Sequence, residues 1–239
     1  MNAAVMVAGT RETSPRLMAR IAGACYLMNC ALAPGFYANA RCVVPGNAAA
    51  TATNMLAHEG LYRLGFAGNL VAIAAYVAVT ALFYELFRPV NRTVSFLAAL
   101  FSLVGCALLT VASLFQVAPF VVLGGAQYLS VFAVEQVYAL ALVLLKLYSQ
   151  CFGISIVFFG FYCLLIGHLI WKSSFLPRIL GAGMALAGLG WLTFLSPPFA
   201  QSLSPYMLSG IGEAALTLWL LVAGVNAERW QAQAAASEA

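Results

Sequence analysis

Six long apolar runs constrain the fold of this chain more than any other feature of its sequence. Several of the turns between them contain proline and basic residues. Each run approaches the roughly 20 residues that an α-helix needs to cross the hydrocarbon core of a bilayer. Hydrophobic residues make up 64% of the sequence and charged residues 8%, far from the proportions of soluble domains. The sequence therefore predicts an all-α fold, a polytopic transmembrane helix bundle.

The predicted membrane domain covers residues 17–227 as a single unit, with polar tails at 1–16 and 228–239. Two segments, 48–59 and 131–148, are predicted as short amphipathic helices at the outer face, because they are too polar or too short for a crossing of their own. We expect 131–148 either to lie on that face or to run into the next span. The six predicted spans are 17–39, 64–87, 95–118, 151–171, 179–195 and 206–226.

Lysine and arginine are unevenly divided between the two predicted sides of the membrane. One side collects Arg11, Arg16, Arg20, Arg88, Arg92, Lys172, Arg178 and Arg229. The other side has Arg41, Arg63 and Lys146. Because basic loops face the cytoplasm, eight against three predicts both termini inside, in a multi-pass protein of the cell membrane. A seventh span over 131–148 would remove this bias, so we disfavour it.

The first predicted span also has features of a secretory signal. A basic start and an apolar stretch lead to Ala38-Asn39-Ala40, which fits a small-x-small cleavage site. Retention is the favoured interpretation because the rest of the chain is itself apolar enough to be membrane-embedded. Cleavage of the first span stays open.

Several functional classes conflict with the residue inventory. The chain has no aspartate, which removes acidic dyads and most magnesium-dependent phosphate chemistry. Its two histidines and six cysteines lack metal-ligand or thiol-exchange spacing, so we expect no metal and no cofactor. Basic residues stand at the ends of apolar runs, which argues against a nucleic-acid partner. The bilayer is the expected partner.

Glu213 is the most informative polar residue, because it lies inside the last span with no basic neighbour in the same helix. A carboxylate there needs a partner, a water-filled cavity or a proton. Arg63, Asn69 and Gln116 fall at a similar depth in the second and third spans. We interpret the four as an outward-facing pocket for a small polar ligand; the alternative is that they only join helices to one another.

Glu85 and His168 each lie one turn before a basic hairpin, near the inner interface. A contact between them would suit a proton relay or a pH sensor. Ion pairs with Arg88 and Lys172 on the same helices are the simpler alternative.

Cys42 and Cys151 lie near the outer ends of two predicted spans. An oxidising compartment would join them in a disulfide if their Cα atoms approach within about 7 Å.

A resemblance to a known family covers most of the chain, from Arg20 to Asn226. Its motifs are Ala19-Arg20-Ile21-Ala22-Gly23, Val44-Pro45-Gly46-Asn47-Ala48, Leu61-Tyr62-Arg63-Leu64-Gly65, Arg88-Pro89-Val90-Asn91-Arg92 and Phe175-Leu176-Pro177-Arg178-Ile179-Leu180-Gly181. With them the chain resembles uncharacterised bacterial membrane proteins that share domain of unknown function 4386. The resemblance implies a multi-helix membrane domain of bacterial type and carries no catalytic or ligand residues across.

Three functions fit these expectations. The first is a small transporter or solute-binding membrane protein that uses the pocket around Glu213. The alternative is a non-catalytic scaffold or regulatory subunit that binds a membrane protein partner through its apolar faces. The third, a lipid-acting intramembrane enzyme, is least favoured because so few catalytic residues are present, and we predict no catalytic group.

Overall fold

A computed structural model describes residues 14–32, 41–196 and 205–238. Within these ranges the secondary structure is helical, without strands, which confirms the all-α prediction. The α-helices are α1 Pro15–Leu32, α2 Ala48–Ala57, α3 Glu59–Phe87, α4 Arg92–Leu123, α5 Val134–Lys172, α6 Arg178–Leu192, α7 Pro205–Val222 and α8 Ala227–Glu238.

Six of these helices form a closed ring. α3 lies between α1 and α4, α5 lies between α4 and α6, and α7 packs against both α6 and α1. The middle of the ring is filled by buried aromatic side chains, including Tyr26, Phe83 and Tyr162. Large apolar side chains such as Leu64 and Ile179 lie exposed on the outside, 70% and 76% accessible. A surface of this kind requires lipid rather than water around it.

Four helices are long and apolar enough to cross a membrane individually: α3, α4, α5, and α6 together with the short 3-10 turn that extends it to Leu195. α7 and α8 meet the same criterion as a pair that is bent by 103°. The chain is therefore a multi-pass membrane protein. The count of six spans and the placement of both termini inside stay predictions.

Of the two alternatives for 131–148, the structure has the one in which this segment runs into the next span, since α5 is one continuous helix of 39 residues. No glycine or proline occurs between Val134 and Phe152, so nothing interrupts the helix at the expected boundary near Ser149. At 1.5 Å per residue α5 is about 58 Å long, well beyond the roughly 30 Å of a hydrocarbon core. Its first turns therefore project past the core.

α4 also exceeds its predicted length, because the helix continues through Pro119 to Leu123. Proline removes one backbone hydrogen bond, and transmembrane helices tolerate this where a neighbouring helix provides a replacement. The bond lost at Pro119 is the one to the backbone oxygen of Phe115, four residues earlier. The hydroxyl of Tyr62 on α3 donates to the next backbone oxygen, that of Gln116, at 2.9 Å and so links α3 to this turn of α4.

α2 packs against α3, α4 and α5. Asn47 caps its first turn by accepting a hydrogen bond from the amide of Ala50 at 2.9 Å. Met55 is fully buried in an outer cluster that also contains Cys42, Tyr62, Phe120 and Leu145. α2 ends at Ala57 rather than at residue 59, since Glu59 already begins α3.

The predicted polar tail at the carboxyl end forms a docked helix, α8. Gly224 adopts the left-handed conformation with φ of 68°, which turns the chain after α7. The indole Nε1 of Trp230 then donates to the backbone oxygen of Leu86 at 2.8 Å. Gln233 accepts hydrogen bonds from both the amide and the hydroxyl of Ser174. α8 thus ties the end of α3 to the α5–α6 turn.

We expect Trp230→Ala to release α8 from the bundle, since it removes both the half-buried indole and its hydrogen bond to Leu86. Trypsin cleavage after Arg229 in detergent should then become several times faster. Gln231→Ala is the matched control because Gln231 is exposed on the same helix. Equal cleavage rates in the two variants would show that the indole does not hold α8.

α5 and α6 approach each other through glycines with matching spacing. Gly160 and Gly167 on α5 face Gly188 and Gly181 on α6. A Cβ atom on Gly167 would lie 2.8 Å from the backbone oxygen of Gly181, and one on Gly188 would lie 2.7 Å from the backbone oxygen of Gly160. Small residues of this kind allow helix backbones to pack closely in membranes. They fix the distance between α5 and α6.

Among the described residues, basic side chains are concentrated at one end of the ring, called the basic end below. It contains the start of α1, the α3–α4 and α5–α6 turns, and α8. Its basic residues are Arg16, Arg20, Arg88, Arg92, Lys172, Arg178 and Arg229. The opposite end, with α2, has Arg41, Arg63 and Lys146. The charge bias of the sequence is therefore also a bias in space.

Candidate functional site

Glu213 lies about two turns into α7, where four helices meet. Its Oε1 accepts a hydrogen bond from the indole Nε1 of Trp191 on α6, at 2.6 Å. The thiol of Cys163 on α5 lies 3.7 Å from the same oxygen and donates to it. The hydroxyl of Tyr26 on α1 also interacts with this carboxylate. The last span is thus joined to three others through one carboxylate.

A cavity of about 290 Å³ opens beside this carboxylate. Glu213 is half-buried and forms part of the wall. Asn29 and Asn69 add amide groups, and most of the remaining wall is apolar or aromatic. The aromatic side chains are Tyr76, Phe152, Phe159, Trp191 and Tyr206.

Helical periodicity explains how α3 contributes to the cavity. Asn69, Ala72, Ile73 and Tyr76 all line it, and their spacing of three, four and seven residues places them on one face of the helix. Asn69 is held in place by a hydrogen bond from its Nδ2 to Oγ of Ser113 on α4, at 3.0 Å. The wall on this side is therefore built by one helix face.

Tyrosines close the cavity toward the basic end. The hydroxyls of Tyr26 and Tyr76 lie 3.4 Å apart. The ring of Tyr76 packs edge-on against Phe159 and Tyr162, with centroid distances of 4.8 Å and 6.0 Å. Farther along, Phe83 and the rest of the main core fill the ring. The cavity is therefore confined to the half of the bundle that is remote from the basic end.

Two of the four predicted pocket residues share the cavity, namely Glu213 and Asn69. Arg63 lies at the outer start of α3, where it pairs with Glu59 at 2.7 Å and covers the ring of Phe120. Gln116 is buried near Tyr62, and its Oε1 has no hydrogen-bond partner within the described part of the chain. The structure thus divides the predicted pocket into a cavity and a separate outer cluster.

Glu85 and His168 do not form the predicted inner pair. Glu85 contacts Arg88 on its own helix at 3.4 Å, as the simpler alternative proposed. His168 is exposed on α5.

No disulfide joins Cys42 and Cys151, both of which are described residues. Cys42 is buried in the outer cluster near Leu145, and this burial raises the pKa of its thiol. Cys151 lies six residues farther along α5 than Leu145, which is about 9 Å at the helical rise.

Comparisons with known proteins place the chain in a family. The family model described as a domain of unknown function, DUF4386, matches residues 21–224. The chain belongs to this family. An uncharacterised protein of Archaeoglobus fulgidus is 25% identical over 158 residues, which cover 66% of this chain and 82% of that protein. No solved structure matches.

The partners of Glu213 in this DUF4386 protein could not be found from polarity alone. Trp191, Cys163 and Tyr26 are apolar or aromatic residues within apolar runs, where most such side chains only pack. The one available signal was that a carboxylate in a span requires hydrogen-bond donors. Within the described ranges, no group of three or more histidine, cysteine and acidic residues is arranged to hold a metal ion.

We expect Trp191→Phe to lower the free energy of unfolding by about 1–3 kcal/mol, the usual cost of leaving a buried acceptor without its donor. The ring would still fill its space, whereas the carboxylate would lose its closest donor. Denaturant unfolding in detergent micelles measures the change. Trp171→Phe provides the control because Trp171 is 50% exposed near the basic end, and an equal loss there would remove the assigned cause.

Proposed function

We propose that this protein is a small-molecule binding membrane protein, or a small transporter, whose ligand is largely apolar and carries one positive charge. The cationic group would rest against Glu213, and the apolar part would fill the aromatic cavity. One observation carries the proposal: the carboxylate opens onto a cavity, and no cationic side chain lies in ion-pair range of it within the described part of the chain.

The charge balance of the site supports a cationic ligand. Burial of a carboxylate is costly unless it is paired or protonated. Trp191 and Cys163 donate hydrogen bonds to the carboxylate, and the nearby Tyr26 hydroxyl is also uncharged. None of the three residues supplies a positive charge. A bound cation would supply the missing charge, and a proton would do so when the cavity is empty.

The cavity wall supports the rest of the ligand description. Aromatic faces attract cations and also accept apolar groups. Tyr76, Phe159 and Trp191 stand on the wall with Glu213. A volume of about 290 Å³ lies at the small end of ligand pockets. The sequence suggested a polar ligand, whereas this wall favours a small amine with a hydrocarbon body.

The position of the cavity within the bundle fits binding, or one state of a transport cycle. The cavity lies in the half remote from the basic end, and the tyrosine layer at Tyr26, Tyr76 and Tyr162 closes the other half. Transport would require this layer to separate. The charge bias supports placing the basic end in the cytoplasm, which makes the cavity outward-facing in the cell membrane.

A matched pair of probes tests the proposal. 2-Phenylethylamine and 2-phenylethanol have nearly the same size, and only the amine is charged at neutral pH. The amine should raise the unfolding temperature of the purified protein in a saturable manner, and the alcohol should have little effect. Equal shifts from both compounds, or none from either, would contradict a cation site.

The alternatives have weaker support. A scaffold would need an exposed surface that contact with lipid does not account for. The exposed apolar residues of α5, such as Val143 and Leu147, are ordinary for a helix that faces lipid. A covalent mechanism through the Cys163–Glu213 contact would need a reachable sulfur atom. Cys163 contacts Glu213 but is fully buried, with no surface available to a substrate.

A further inference from the structure

A second pocket lies at the basic end, far from Glu213. It has a volume of about 600 Å³ and is bounded by the start of α1, the α5–α6 turn and the corner between α7 and α8. Its charged lining residues are Arg16, Arg229 and Glu228. Arg20 lies beside it and donates to the backbone oxygen of Val222 at 3.4 Å. Positive charge therefore predominates at this corner.

The two arginines that line the pocket have N–H groups that are not used in hydrogen bonds within the described residues. Arg229 makes one long side-chain hydrogen bond, at 3.4 Å, to the backbone oxygen of Ser174. No acidic side chain lies in ion-pair range of Arg16 or Arg229 within the described residues. A guanidinium group carries five N–H donors arranged to match phosphate oxygens. Two such groups, on different helices, line this one pocket.

The surroundings add features that suit a phosphate next to an acyl chain. α8 begins in the pocket at Ala227, and the start of a helix favours negative charge. Trp219 lines the pocket and is 40% exposed, as tryptophans at the membrane interface commonly are. Val222, at the end of α7, is 76% exposed. Charge and apolar surface meet at one place.

We infer that this corner binds a phosphate-bearing anion, and that its occupant is the headgroup of an anionic phospholipid. The phosphate would lie between Arg16 and Arg229, with the lipid body along Trp219. Basic pockets beside transmembrane helices bind anionic headgroups in this manner. The inference is independent of the amine cavity, because the two pockets share no lining residue.

The test uses the full chain in uncharged detergent with three separate additions: short-chain phosphatidylglycerol, phosphatidylcholine of equal chain length, and inorganic phosphate. Lipid retention in native mass spectrometry and the unfolding temperature are the two readouts. We expect phosphatidylglycerol to be retained and to stabilise the protein more than phosphatidylcholine does. The double variant Arg16→Gln/Arg229→Gln should weaken that binding at least tenfold.

Arg92→Gln/Arg178→Gln is the matched control, because it removes the same charge from the same end outside the pocket. If inorganic phosphate binds and its binding depends on Arg16 and Arg229, the anion site is supported and its ligand is a soluble phosphate instead of a lipid headgroup. Loss of binding in both double variants, or in neither, would overturn it. If the site variant does not fold, Arg16→Gln alone serves, since Arg16 is exposed.

Discussion

Glu213→Gln is expected to weaken binding of 2-phenylethylamine by about 100-fold or more, because removal of one partner from a buried charge pair costs about 3–5 kcal/mol. Glutamine keeps the shape of the side chain and an oxygen that can accept from Trp191. The variant without ligand should be about as stable as the parent, because the parent carboxyl carries a proton when the cavity is empty and the glutamine amide is neutral as well. Isothermal titration in detergent gives the affinity.

The control for this variant is Glu85→Gln. Glu85 is the acidic residue of the basic end of α3, and its ion pair with Arg88 is on the surface. Amine affinity should be unchanged there. If Glu213→Gln binds the amine normally but unfolds more readily, Glu213 serves to join helices and the proposed ligand site is wrong.

Gly188→Ala is expected to lower the free energy of unfolding by about 1–3 kcal/mol or more, the range for an overpacked core. The added methyl group would lie 2.7 Å from the backbone oxygen of Gly160 and 2.9 Å from the amide of Leu164. Backbone atoms cannot move aside as a flexible side chain can, so α5 and α6 would separate. Denaturant unfolding in micelles measures the loss.

Gly68→Ala is the matched control within a transmembrane helix. The nearest atom to a new Cβ there is Cδ2 of Leu32, at 3.8 Å, an ordinary contact. Helix propensity alone should make this change neutral or stabilising by about 0.5–1 kcal/mol. A similar loss at both positions would show that close packing of α5 and α6 is not the cause. Amine binding should also fall in Gly188→Ala, because Phe159 and Trp191 stand on opposite sides of that contact.

Much of the fold could be predicted, because apolar length and proline turns determine where transmembrane helices form. The helix boundaries that failed were those without a strong local signal. α5 runs without a break because neither glycine nor proline interrupts it before Gly153. The docking of α8 was not predicted because its sequence is polar. It depends on a contact between Trp230 and the end of α3 that is distant in sequence.

The site was predictable only in part. Glu213 is conspicuous as the acid within an apolar run, and Asn69 follows from its depth. Arg63 was grouped with them by depth alone, although six residues of helix place it about 120° around α3 from Asn69. Depth can be read from sequence, whereas the face that a helix turns toward its neighbours depends on how the ring closes. Only the packing of the helices in three dimensions identifies Trp191 as the closest hydrogen-bond donor to Glu213.

The contact between α1 and α7 closes the ring with the first and last of its helices, which has a consequence for biosynthesis. Glu213 reaches its donors only after α7 has left the ribosome and entered the bilayer. Until then the ring of helices is open, and Tyr26 and Trp191 lack their contact with Glu213. An amine present during membrane insertion should therefore act as a pharmacological chaperone, increasing the yield of the parent protein but not that of Glu213→Gln.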